Sequence, residues 1–136
     1  MKEFTSGSFS EVLDDPTGVA AKDVKRVILC SGKLYYDLAE VQQKRKAKDT
    51  AIVRIEQLYP FPEKQLKAVL KKYKDAKVVW AQEEPANMGA YSFILRMMPK
   101  QEFEVVSRKA SASPATGFSK VHKVEQEKLA NKAFEI

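Results

Sequence analysis

The chain has 136 residues, a net charge of +6 and a sequence pI of about 9.3. Apolar residues make up 44% and charged residues 31%, which is the composition of an ordinary globular domain with its own core. No apolar stretch approaches the roughly 20 residues of a membrane span. The lone cysteine excludes an internal disulfide and favours a reducing compartment.

The first part of the chain is rich in turn formers and the next part alternates strands with helices. Residues 1–25 contain TSGS and DDPTG, and we predict an N-terminal connecting segment with a short helix over residues 8–15. RVILCS (26–31) is a β-rich apolar run that predicts a buried strand. Residues 33–48 carry apolar residues at helical spacing. Residues 51–55 predict the next strand, which the two prolines of QLYPFP end.

The alternation continues through the second half of the chain. The predicted elements are an amphipathic helix over 63–73, strands over 77–82 and 103–107, and a turn over EEPAN between them. GAYSFILRMM (89–98) predicts a helix that is too apolar on all sides to lie on a surface. Ser119 is expected to cap a last charged helix over residues 120–134. This order indicates an α/β domain whose mostly parallel sheet is covered by helices on both faces.

Residue types that carry metal or nucleophilic chemistry are scarce. The chain has one cysteine and one histidine, Cys30 and His122, which are 92 positions apart. Zinc sites need three or four ligands at short spacing, and this sequence does not supply them. Cys30 and His122 could still meet in the fold as a nucleophile pair. A thiol inside an apolar strand stays protonated, however, which counts against that role. We therefore predict no catalytic, cofactor-binding or metal-binding residue in this chain.

Basic residues allow two anion-binding interpretations. CSGK (30–33) places Lys33 where a strand turns into a helix, and helix N-termini bind anions, but the segment lacks both glycine-rich phosphate patterns. The densest basic cluster, KRKAK (44–48), ends at Asp49 and fits a solvated helix C-terminus better than a nucleic-acid surface. A stand-alone anion- or nucleotide-binding α/β module therefore stays open as an alternative function.

Two adjacent carboxylates, Glu83 and Glu84, follow the third predicted strand. They lie at the carboxyl edge of the sheet, where open α/β folds place ligands. A pair of catalytic acids would need both groups on one side of the strand. Successive side chains in a strand point to opposite faces, so we expect the two carboxylates to diverge and not to share a proton.

Six uninterrupted stretches, in order and over nearly the whole chain, resemble the C-terminal domain of the first, thiamine diphosphate-dependent component of 2-oxoglutarate dehydrogenase. They are EFTSGSF (3–9), CSGKLYYDL (30–38), AIVRIEQLYPFP (51–62), QEEPANMGAY (82–91), ASASPATG (110–117) and KVHKVEQ (120–126). Related 2-oxoadipate-type enzymes share much of this pattern. The resemblance implies a three-layer fold like the transketolase C-terminal domain over residues 26–136. Its sheet is expected to have about five largely parallel strands and one antiparallel edge.

The resemblance also implies a parent activity. Enzymes of this family decarboxylate 2-oxoglutarate on thiamine diphosphate and Mg²⁺, and pass the succinyl group to a lipoyl arm on the second component. The cofactor and the catalytic histidines belong to two preceding domains in this family. The chain is therefore expected to be an excised, non-catalytic domain, without nucleic-acid or membrane partners. The parent enzyme is expected in the bacterial cytoplasm, or in the mitochondrial matrix if it is eukaryotic.

The first role that the resemblance implies is assembly. In enzymes of this architecture the C-terminal domain packs on its neighbouring domains and on the second subunit. We expect Glu83, Glu84, Asn87 and Gly89 to form such an interdomain or dimer contact. The apolar stretch that follows them would need cover from a partner.

The second implied role is regulation. Actinobacterial relatives bind acetyl-CoA as an activator through this domain. Gln57 matches a residue used there, and Lys64 keeps a basic charge. Gln65 stands where those relatives have arginine, and Ser8 where they have lysine. The loss of two cations counts against an acyl-CoA effector site at Gln57 and Lys64, because charge-assisted bonds carry most phosphate affinity.

Overall fold

A computed structural model describes residues 8–135, so residues 3–7 of the EFTSGSF stretch and the start of the 1–25 segment lie outside it. The described elements are β1 (Val12–Leu13), β2 (Arg26–Cys30), α1 (Leu34–Arg45), β3 (Thr50–Ile55), α2 (Glu63–Lys72), β4 (Lys77–Pro85), α3 (Tyr91–Met97), β5 (Glu104–Arg108) and α4 (Ser119–Lys132). A short 3₁₀ turn over Ala21–Asp23 precedes β2. None of the described helices is long and apolar enough to cross a membrane.

The strands form one sheet in the order β1-β3-β2-β4-β5. The β2–β3, β2–β4 and β4–β5 pairs are parallel, and β1 alone runs antiparallel, against β3. In the central register Ile28 pairs with Ile52 on one side and with Val79 on the other. The predicted α/β fold, with a mostly parallel five-stranded sheet and one antiparallel edge, is confirmed.

Two apolar cores lie on opposite faces of the sheet. On one face, Trp80 packs with Leu66 of α2 and Ile94 of α3. On the other face, Leu38 of α1 and Leu129 of α4 close over Ile28, Val79 and other strand residues. Each fully buried large side chain contributes roughly 1.5–3 kcal/mol. The two cores make a three-layer domain, and they fix which face each β4 side chain reaches.

The predicted helix over residues 8–15 is wrong. This segment contains β1, whose Val12 pairs with Ile55 of β3. Next to the strand, the Asp15 carboxylate accepts hydrogen bonds from the backbone N–H of Ile52 at 2.7 Å and from Gln42 Nε2 at 3.0 Å. Donors on β3 and α1 thus hold the segment extended, and this tertiary pairing outweighs its local helical pattern.

The predicted cap at Ser119 is also wrong. Ser119 is the first residue of α4, Phe118 before it is extended, and no side chain caps this end.

The strand β4 is longer than predicted, because Pro85 still pairs with Arg108 of β5. Helix α3 has only seven residues and leaves Leu95 38% exposed, so the chain itself does not cover it on all sides.

Candidate functional site

The end of β4 separates its two carboxylates, as strand alternation predicts. Val79 and Ala81 belong to the core beside α1 and α4, and Glu83 continues on that face. Trp80 belongs to the core beside α2 and α3, and Glu84 lines a cavity together with it on that face. Because the carboxylates point to opposite sides of the sheet, they cannot share a proton or act on one substrate atom.

Glu83 is used inside the domain. Its Oε2 accepts a hydrogen bond from Gln126 Nε2 at 2.8 Å and lies 3.5 Å from Lys33 Nζ. The same Gln126 amide donates to Asp37 Oδ2 at 2.9 Å, and Gln126 is only 8% exposed. One glutamine from α4 therefore ties α1 to the end of β4. Glu83 therefore contacts both α4, through Gln126, and the start of α1, through Lys33.

Glu84 is the exposed member of the pair. Its carboxylate has no hydrogen-bond or ion-pair partner among residues 8–135, and it lines an open cavity of about 370 Å³. Tyr59 and Phe93 supply apolar walls, and Ser31 contributes a hydroxyl at the end of β2. An apolar cleft with a free carboxylate at its rim suits a partner that brings both an apolar side chain and a cation or N–H donor.

Gln82 organises the turn that follows β4. Its Oε1 accepts from Trp80 Nε1 at 2.8 Å and from the Tyr91 backbone N–H at 3.1 Å. Its Nε2 donates to the carbonyls of Met88 at 2.7 Å and Pro85 at 3.1 Å. The residue is 4% exposed, so these bonds form where water does not compete. Sequence reasoning missed Gln82; its signal is a polar residue on the same strand face as a buried tryptophan.

Gly89 is fixed by this turn. Its φ is +73°, and an added Cβ would lie 2.9 Å from Gln82 Oε1. Asn87 is engaged as well: its Nδ2 donates to the Ser111 carbonyl and its Oδ1 accepts from the Ser111 N–H, both at 3.0 Å. Of the four predicted contact residues, the structure thus gives Glu83, Asn87 and Gly89 internal partners or packing, and Glu84 is the one whose side chain has no partner among residues 8–135.

Four exposed aromatic side chains lie along the same edge of the sheet. Tyr36 lies in the first turn of α1 and is 59% exposed, and Tyr59 follows β3 and is 83% exposed. Phe9 is 69% exposed and precedes β1, which runs antiparallel and starts beside the end of β3. Phe118, 75% exposed, precedes α4. All four precede a helix or strand that starts at the carboxyl edge, or lie in its first turn.

The predicted effector residues lie near that edge, Gln57 after β3 and Lys64 in the first turn of α2. Gln57 Nε2 donates to the Pro60 carbonyl at 2.7 Å, so its amide is engaged within its own loop. Lys64 is exposed on the first turn of α2 and forms no ion pair among residues 8–135. Acyl-CoA binding at these two residues stays a prediction.

The CSGK turn connects β2 to α1, and its one cation, Lys33, already forms an ion pair. Gly32 has a φ of +64°, and Lys33 is paired with Glu83. Burial raises the pKa of the Cys30 thiol to about 12, so at neutral pH it is a small apolar group. Within residues 8–135, no group of three His, Cys, Asp or Glu side chains is placed to hold a metal ion.

Comparisons with known proteins show the family of the chain. The model of the family described as 2-oxoglutarate dehydrogenase C-terminal matches residues 1–134. The 2-oxoglutarate dehydrogenase E1 component of Cupriavidus necator is 44% identical over 140 residues, which cover 98% of this chain and 15% of that protein. The E1 component of Coxiella burnetii is 50% identical over 123 residues, covering 85% and 13%. The chain therefore spans about one seventh of the length of these relatives.

The fold comparison agrees with the architecture. A solved structure described as a split gene transketolase, an inactive β4 tetramer, matches with a TM-score of 0.56. The match covers 82% of this chain and 39% of that one at 16% sequence identity. This likeness shows the transketolase-like fold and nothing about activity.

Proposed function

The chain belongs to the 2-oxoglutarate dehydrogenase C-terminal family, and on that premise we propose that it is the assembly domain of an E1 component. It packs on the other domains and on the second subunit of that enzyme through the carboxyl edge of its sheet. The observation that carries this proposal is the row of exposed aromatic side chains along that edge, of which Tyr59 shares a cavity with Glu84, whose carboxylate has no partner among residues 8–135.

Aromatic side chains are the reason to assign an interface to this edge. A solvent-exposed tyrosine such as Tyr59 leaves a large apolar ring in water, and several exposed rings along one edge favour a contact surface. Tyr59 and Phe93 wall the cavity next to Glu84. A partner side chain entering there would bury the rings and pair the carboxylate, which is the arrangement of an interface hot spot.

The parent enzyme, on this proposal, decarboxylates 2-oxoglutarate and passes the succinyl group to the lipoyl arm of the second component of its complex. Thiamine diphosphate and Mg²⁺ supply the decarboxylation chemistry when they are bound. The described residues of this chain do not fit that metal, because no acidic group of three gathers in them. We assign the cofactor to other domains, and the parent to the bacterial cytoplasm or, in a eukaryote, the mitochondrial matrix.

The alternative, a stand-alone anion- or nucleotide-binding module using the CSGK turn, has weaker support. The ammonium group of Lys33 lies 3.5 Å from Glu83 Oε2, so its charge is offset within the chain.

The division into a connecting segment, residues 1–25, and a domain over residues 26–136 stays part of the proposal. We note that β1 lies in the connecting segment and pairs with β3 of the domain.

Two substitutions in the full-length enzyme test the assembly role. Tyr59→Ala removes an exposed ring, and Glu84→Ala removes the free carboxylate. We expect the dimer dissociation constant to rise about 10-fold or more for Tyr59→Ala and several-fold for Glu84→Ala, by sedimentation velocity. Turnover at low enzyme concentration should fall in parallel, because the dimer would be the active form.

Asp75→Ala is the matched control, since Asp75 is exposed on the loop before β4, at the opposite edge of the sheet. It should assemble and turn over like the unmodified enzyme. If both edge variants assemble and react as the control does, the assembly role is wrong.

A further inference from the structure

A strongly basic cavity of about 980 Å³ lies at the opposite, amino edge of the sheet, between the segment before β2 and the end of α1. Its charged lining residues are Lys22, Lys25, Arg26, Arg45, Lys46 and Lys48, against Asp23 and Asp49. The surplus of four positive charges compares with a net charge of +6 for the whole chain. Most of the excess charge of the protein is therefore collected in one place.

Each arginine of this cavity bonds the chain through one terminal nitrogen, and the buried Nε of Arg26 has no hydrogen-bond partner among residues 8–135. Arg26 Nη1 donates to the Phe134 carbonyl at 2.6 Å. Arg45 Nη2 donates to Asn131 Oδ1 and pairs with Glu135 Oε1, both at 2.8 Å. The four lysines form no ion pair among residues 8–135, and all four are exposed. The charge that a ligand would meet is thus carried by lysine ammonium groups.

Lys46 occupies an unusual backbone position. It is the C-cap of α1 and has a φ of +51°, the only positive φ among non-glycine residues 8–135. A side chain in this left-handed conformation costs roughly 1–2 kcal/mol, and glycine normally fills such helix ends. A lysine here adds one more cation to the cavity at the expense of stability. Strain of this kind is a pointer to function.

Neutralising the negative end of the α1 dipole does not account for all of these lysines. Lys46 and Lys48 follow the helix and are placed for that role. Lys22 and Lys25 come from the separate segment before β2, in and next to the 3₁₀ turn, and line the same cavity. Two segments separated in sequence therefore bring to one concave surface lysines that form no ion pair in the described part of the chain.

We propose that this cavity binds an acidic polypeptide segment from outside the chain. Lysines are flexible point charges, which suit carboxylates distributed along a peptide. Arginine forks and helix N-termini give compact phosphate its most specific contacts, whereas here Arg26 Nη1 and Arg45 Nη2 already bond the chain and the helix end is a C-terminus. The apolar residues Val19, Ala47 and Phe134 also line the cavity and would contact the stems of the acidic residues.

The 136-residue chain and a fluorescein-labelled octaglutamate peptide test this proposal by fluorescence anisotropy at low salt. We expect saturable one-to-one binding that weakens as salt is added, because exposed charges are screened. Lys46→Gly and Lys25→Gln should each weaken binding about two- to five-fold. Lys46→Gly should leave the melting temperature unchanged or raise it, since glycine relieves the left-handed strain, so weaker binding would not reflect unfolding.

Lys120→Gln is the control for overall charge, because Lys120 is exposed on the first turn of α4 and does not line the cavity. It should bind octaglutamate as the unmodified chain does. Three results would overturn the proposal: no binding, an equal loss in the control and the cavity variants, or pyrophosphate binding more tightly than the peptide. The last outcome would assign the cavity to a phosphate compound. None of them bears on assembly through the carboxyl edge.

Discussion

The indole N–H of Trp80 donates a 2.8 Å hydrogen bond to the side-chain oxygen of Gln82, two residues further along the same face of β4. Trp80 is fully buried, so this donor has no access to water. The bond links the core of the domain to the turn that positions Gly89 and Tyr91, because the same glutamine also holds that turn.

Replacing Gln82 by methionine should destabilise the chain by about 3 kcal/mol. The substitution keeps the volume but leaves the Trp80 N–H and at least one turn carbonyl without a partner. The free energy of unfolding in urea measures the effect. Gln43→Met, on the exposed side of α1, is the control and should change stability by less than about 0.5 kcal/mol. Equal effects of the two variants would contradict the role of Gln82.

Gly89→Ala should cost more than Gly18→Ala. Both glycines have a positive φ, +73° and +72°, but only at Gly89 would the new Cβ meet an atom, Gln82 Oε1 at 2.9 Å. Backbone strain alone gives roughly 1–2 kcal/mol at each site. We expect the extra cost at Gly89 to disappear in a Gln82→Ala background, and urea unfolding of the double mutant measures this coupling. Additive costs would show that the two residues are not coupled.

Asp14 should contribute stability that depends on pH. Partial burial alone would raise the pKa of Asp14, but hydrogen bonds from Lys72 at 2.7 Å and Tyr73 at 2.8 Å lower it below the ordinary value. The folded chain then releases this proton more readily than the unfolded chain. The stabilisation is complete above the ordinary pKa of aspartate, near 4, and is lost as pH falls through the lower folded value.

Asp14→Asn should therefore lower the free energy of unfolding at pH 7 by about 1 kcal/mol. The difference in the free energy of unfolding between the variant and the unmodified chain should decrease below about pH 4, where the Asp14 carboxyl of the unmodified chain becomes protonated. Urea unfolding across this pH range measures it, with Asp75→Asn as an exposed control. A gap of constant size at all pH values would refute the linkage.

Cys30 should make the domain less stable at alkaline pH. Burial raises the pKa of its thiol from 9.0 to about 12. Between these values the unfolded chain loses the proton and the folded chain keeps it, so stability falls as pH rises, by up to about 1.4 kcal/mol per pH unit. Cys30→Ala has no thiol to ionise. The stability difference between the two chains at pH 7.5 should shrink by pH 10, and a difference that does not shrink would rule out this effect.

The α/β order, the parallel sheet and the divergence of Glu83 and Glu84 were predictable because each rests on short-range periodicity. Apolar runs such as RVILC mark strands buried on both faces, and alternation along a strand decides which side chains share a face. The helix predicted over residues 8–15 failed for the opposite reason. Its conformation depends on donors of Ile52 and Gln42, which are distant in sequence.

The sequence by itself determined the family and the element order from β2 onward, since these depend on residue identity and local spacing. Only the tertiary structure decided which polar residues are free to act. In the fold, Glu83 accepts a hydrogen bond from Gln126 and Asn87 donates one to Ser111, whereas Glu84 is exposed. The fold also gathered the lysines of two separate segments into one basic cavity. Hydrogen bonds and charges act over a few ångströms, and folding alone sets which distant residues come that close.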